Sequence, residues 1–137
     1  MKVVMVEPGQ YAQITEISES LESLQAAVGG LIDCAYPWTE RVCIVCNDEG
    51  MINGMPMNRA VEQYGALAGP FFVCGINEEN FCSLTEEQAE RYKNLFLKPE
   101  LYVPHRNGLL RLRLLYPLSM ERRFIGDISN ERFESKF

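Results

Sequence analysis

The sequence has no run of about 18 apolar residues, so no helix that spans a membrane is expected. The opening apolar run, Val3 to Val6, is cut off by Glu7 and Pro8, which also argues against a signal peptide. Histidine occurs once, at His105, and no neighbouring acid or nucleophile elbow marks it as half of a catalytic pair. Cysteine occurs five times, an odd number, and mostly inside apolar runs where a free thiol behaves as a small hydrophobe; this suits a reducing cytoplasm.

Several nucleotide and metal motifs fail. Gly50, Gly54, Gly65 and Gly69 spell neither G-x-G-x-x-G nor a phosphate loop with its lysine. The acidic stretch from Asn47 resembles a calcium loop only briefly, because Arg59 stands where the twelfth-position glutamate would follow Asp48. Cys43 and Cys46 have the C-x-x-C spacing, but in a strand they point to opposite faces, and neither a second pair nor a histidine pair follows. No metal, cofactor or catalytic residue is therefore assigned.

What is present is an ordinary globular balance, with 47% apolar and 23% charged residues. The charge is uneven. Residues 1–100 carry fifteen acids against six bases, and residues 101–137 four acids against seven bases. An acidic body repels phosphate backbones, so sequence-specific nucleic-acid binding is disfavoured. Arg106, Arg111, Arg113, Arg122 and Arg123 could bind phosphate or pair with the acidic body. The alternation of Arg111 and Arg113 with leucines favours the outer face of an amphipathic strand.

Pattern and punctuation give the elements. KVVMVE reads as a first strand stopped by Pro8-Gly9. Ile17, Leu21, Leu24 and Val28 recur at helical spacing and predict a helix over 16–28, ended by Gly29-Gly30. Two strands are expected over 31–36 and 41–46, then turns through 47–54. Residues 58–64 allow one or two helical turns. PFFVCGI predicts a central strand over 70–76, and SLTE a capping box opening a second helix over 85–97. LRLRL, bounded by Pro104, Asn107-Gly108 and Pro117, alternates like a half-buried strand. Residues 120–137 read as polar and mobile unless a partner holds them. The expected fold is α+β: a mostly antiparallel sheet of four to six strands, both helices on one face, with residues 1–97 as the core and 98–137 as an extension of the same unit.

The N-terminal strand, LESLQAAVGG (21–30), IVCNDEG (44–50), GMPMNR (54–59) and AGPFFVCG (68–75) together resemble a family of small domains of unknown function carried by phages and conjugative elements of gut bacteria. The resemblance covers residues 1–97. It implies an accessory protein of a mobile element, often encoded near antirestriction genes, and carries no catalytic residue with it.

Two functions are expected from these readings. One is a non-enzymatic accessory protein that binds a host protein through its acidic surface, in counter-defence or regulation. The other is a small polar ligand-binding or sequestering protein whose pocket is made by Asn53, Met55, Asn58, Arg59 and Tyr64. A homodimer through residues 109–116 is expected, because a one-sided layer would leave that strand available as an edge.

Overall fold

The structure, a computed structural model, describes residues 1–78, 80–106, 108–118 and the backbone of 133–135. Its strands are β1 (Lys2–Val6), β2 (Gln13–Glu16), β3 (Ile32–Ala35), β4 (Val42–Asn47), β5 (Met57–Val61), β6 (Gly65–Ala68), β7 (Phe71–Asn77), β8 (Asn80–Cys82), β9 (Glu100–His105), β10 (Gly108–Leu114) and β11 (Phe133–Ser135). The helices are α1 (Leu21–Val28) and α2 (Glu86–Leu95). The fold is α+β.

Six strands form the main sheet, ordered β2-β1-β7-β4-β3 with β8 also on β7, and every pairing is antiparallel. The apolar run of β7 is central, as its sequence requires, between β1 (Val4 opposite Val73) and β4 (Ile44 opposite Val73). Phe71 and Phe72 are both fully buried although they point to opposite faces. A strand with no polar alternation can satisfy that only if both faces are covered. Full burial of such a side chain contributes about 1.5–3 kcal/mol.

This corrects the placement of the helices. Leu24 and Val28 of α1 pack with Val3, Cys43, Val45, Phe72 and Cys74. Ala89 and Tyr92 of α2, with Phe96 just beyond it, pack with Val4, Val6, Ile44, Phe71 and Val73 on the other face. Cys43 and Cys46 accordingly lie in different cores, and the thiols of Cys43 and Cys74 meet across β4 and β7 at 3.7 Å.

Both helix starts lie further along than the periodicity suggests. Ser20 caps α1, accepting a hydrogen bond from the Ser23 N–H, so Glu16 stays in β2. Thr85, not Ser83, caps α2, and Gln88 returns the bond to the Thr85 N–H in a capping box. Gly29 ends α1 in the left-handed conformation, donating to the Gln25 carbonyl.

The helical turns expected over 58–64 are instead the β5–β6 hairpin. Its register shifts between Met57 and Ala60, and the consecutive residues Asn58 and Arg59 are both buried. A regular pleat would send one of them outward, so the irregularity is what turns both inward.

Residues 98–118 do not extend the main sheet. β9, β10 and β11 form a separate three-stranded sheet in which β10 is flanked on both sides, so its backbone is no free edge for a second copy. This sheet is tied to the body where Glu100 accepts the Ala60 N–H, Tyr11 Oη donates to the Leu115 carbonyl, and Leu118 donates to the Gly9 carbonyl. The expectation of mobility over 120–137 falls, apart from the backbone of β11, outside the described residues.

Candidate functional site

The residues expected to form a ligand loop are dispersed. Asn53 is exposed in the turn after β4. Met55 lies over Gly69 and Gly29, filling space a side chain there would need. Tyr64 is exposed, and its hydroxyl accepts the backbone N–H of Tyr36. Asp33 Oδ1 accepts the neighbouring Cys34 N–H, so side chains meet one N–H group in the edge strand β3 and another just past its end.

Asn58 and Arg59 are structural ties. Asn58, 0% exposed, donates from Nδ2 to the carbonyls of Val6 and Gly69, both at 2.9 Å. Arg59, 1% exposed, donates from Nε to Phe96 O, from Nη1 to Glu7 O and Asn58 Oδ1, and from Nη2 to Gln10 O. These bonds hold the β1–β2 loop, β5 and the end of α2 together. Burial lowers the pKa of Arg59 to about 10, with Glu100 and Tyr102 opposing that shift, so the guanidinium remains charged at neutral pH.

Arg59 has a second role, because it also lines a cavity of about 540 Å³ between β5, the end of α2 and the β9–β10 hairpin. The register of that hairpin sets Arg111 opposite Tyr102 and Arg113 opposite Glu100, which puts these four on the hairpin face turned toward β5. The expectation that Arg111 and Arg113 decorate an outer face is thus overturned: both are half-buried in the cavity wall. Among the described residues, Lys98 adds a further cation to the lining, and Glu62 and Glu100 are its carboxylates. Glu100 is buried and accepts from the Ala60 N–H and the Tyr102 hydroxyl. Burial, then the hydrogen bond to Glu100, raise the Tyr102 pKa, so its hydroxyl stays a donor.

Trp38 forms the apolar side of the cavity. Its ring rests on Tyr92 at 4.5 Å between centroids and meets Phe96 edge-on at 6.2 Å. Glu40 steadies this corner: it accepts from the Tyr92 hydroxyl and from Arg91 at 2.7 Å. The bond from Tyr92 is the main cause of a lowered Glu40 pKa.

A family model described as a domain of unknown function (DUF3846) matches residues 1–97. The chain belongs to that family. No curated protein and no solved structure matches it. The boundary of the DUF3846 domain cuts through the cavity: Trp38, Arg59 and Phe96 lie within it, and Lys98, Arg111 and Arg113 beyond it.

The other residues that the sequence singles out stay apart from this site. His105 is exposed at the end of β9. Glu86, Glu87 and Glu90 stand exposed on α2, where Glu86 faces Lys2 at 4.0 Å and Glu90 faces Lys93 at 3.8 Å, as solvated charges near a helix start do. Among the described residues no cluster of histidine, cysteine or acids is arranged to hold a metal, and no helix is long and apolar enough to cross a membrane. Sequence reasoning missed Trp38, Lys98 and Glu100. The alternation of Arg111 and Arg113 was the available signal, but a period of two gives two faces and not which one turns inward.

Proposed function

We propose that the protein is a non-enzymatic, cytoplasmic accessory protein of a mobile element, acting by binding or sequestering a small anionic molecule in the cavity behind Arg59. The observation that carries this is the set of charges lining the wall among the described residues: Arg59, Lys98, Arg111 and Arg113 with Glu62 and Glu100, in a chain whose first hundred residues are strongly acidic. Cations gathered in a concave, partly desolvated site attract an anion far more strongly than the same charges in water. The volume falls in the range of roughly 300–1,000 Å³ usual for small-molecule sites.

Thermal unfolding with pyrophosphate, against sodium chloride at equal ionic strength, tests the proposal. Pyrophosphate should raise the midpoint in the native chain, by the linkage expected when a ligand binds only the folded state, and should lose that effect in R111Q/R113Q. Equal responses to pyrophosphate and chloride would remove the basis for it.

A second reading, a host protein bound through the acidic body, is favoured by one surface. Glu19 and Glu22 are exposed beside Leu21, which is 58% exposed at the start of α1. A basic partner with an apolar anchor would complement that surface. Capture that is lost at high salt and in E19K/E22K supports it; capture indifferent to both counts against it.

A further inference from the structure

We infer that the cavity ligand is a mononucleotide, its phosphate held by Arg111 and Arg113 and its base laid against Trp38. This rests on the anion-binding reading above and adds the ligand's other half. An inorganic anion would need neither an aromatic wall nor a space of about 540 Å³. The wall is built for a ring. Tyr92 and Phe96 both pack against the Trp38 indole, which is half-buried and lines the cavity together with Phe96. A fixed, partly covered indole is a stacking platform whose orientation needs no ordering on binding.

The polar rim suits a base as well. Asn94 carries an amide that both donates and accepts, and Glu62 is an exposed carboxylate that accepts from an exocyclic amino group. An aliphatic anion would leave the indole face and these groups without complementary contacts. The arginine pair gives planar guanidinium groups, the geometry that matches phosphate oxygens in pairs. Length is limited by charge. The acidic body repels a continuing phosphate chain, which favours a single nucleotide over a nucleic-acid strand.

Trp38 is the single tryptophan of the chain, so its fluorescence reports on this wall alone. The full-length protein is titrated with AMP, GMP, CMP and UMP, with adenosine, with pyrophosphate, and with a 5′-phosphorylated oligothymidylate. Expected is quenching of Trp38 by at least one mononucleotide, competition with pyrophosphate, and affinity about tenfold above pyrophosphate, as stacking of one base supplies. In W38L, followed by calorimetry, pyrophosphate binding should persist while the gain from the base disappears. Pyrophosphate binding without quenching or gain from any mononucleotide overturns the nucleotide assignment and leaves the anion site standing. Binding of neither overturns both, and tighter binding of the oligonucleotide than of every mononucleotide overturns the assignment to single nucleotides.

Discussion

The Nε of Arg59 donates to the carbonyl of Phe96 at 3.1 Å, so a side chain from β5 closes the end of α2, 37 residues away in sequence. Helix ends leave carbonyls without intrahelical partners, and here a distant arginine supplies one. The same guanidinium meets Glu7, Gln10 and Asn58. Replacing it with methionine strands several buried acceptors at about 1–3 kcal/mol each. R59M should therefore lose several kcal/mol in urea unfolding, and R59K should recover only part, since an ammonium cannot span the same fork.

Asn58 gives a test of donor chemistry at nearly constant shape. Its Nδ2 serves two carbonyls in a fully buried position. N58D replaces those donors with an acceptor facing acceptors and should be less stable at pH 7 than N58A. One carboxylate oxygen can keep the bond from the charged Arg59 guanidinium, as the Asn58 amide oxygen does, so the loss lies at the other oxygen, set against the Val6 and Gly69 carbonyls. Urea unfolding of both variants at pH 7 checks this.

Gly69 sits at φ +83°, and a Cβ there would come 2.6 Å from the Met55 sulfur. G69A should cost more than about 1 kcal/mol in thermal or urea unfolding, from the left-handed backbone as well as the collision. M55A in the same chain should relieve the collision and leave the backbone cost. Full recovery in the double variant would show that the backbone conformation is not demanding.

Glu40 should make the protein acid-sensitive. Its pKa is lowered in the fold, chiefly by the Tyr92 hydroxyl, so its stabilisation is present above its unfolded value and is lost as pH falls through the folded one. The native chain should therefore lose more stability between pH 6 and pH 3 than E40Q does, as followed by urea unfolding across that range.

The cysteines should be slow nucleophiles. A hydrogen bond with Cys43 and burial raise the Cys34 pKa. At Cys43 the hydrogen bond with Cys34 pulls the pKa down, but the one with Cys74, together with burial, outweighs it and leaves the thiol at about 12. Burial raises Cys46 to about 11. Thiolate is the reactive form, so native protein at pH 8 should label at these three positions far more slowly than unfolded protein. Peptide mass spectrometry after timed iodoacetamide treatment reads each site.

Much of the frame was legible. VCIVC and PFFVCGI have no polar alternation and read as strands, the second of them central, and β4 is buried throughout, as is β7 from Phe71 to Gly75. Gly29 could be read as a helix stop because its φ of 80° is one that other residues resist. Residues 58–64 misled because Ala60, Val61 and Tyr64 imitate a helical stripe. Long-range bonds of Asn58 and Arg59 to Val6, Gly69, Glu7, Gln10 and Phe96 outweigh a local preference worth tenths of a kcal/mol per residue.

By itself the sequence determined the α+β class, the central strands, the turns at glycine and the acidic body, because each depends on neighbouring residues and on period. Tertiary structure alone decided that α1 and α2 cover opposite faces, that Asn58 and Arg59 are ties, and that Arg111 and Arg113 turn inward beside Trp38. Those outcomes depend on which surfaces meet, and a period of two specifies a pair of faces without saying which one is covered.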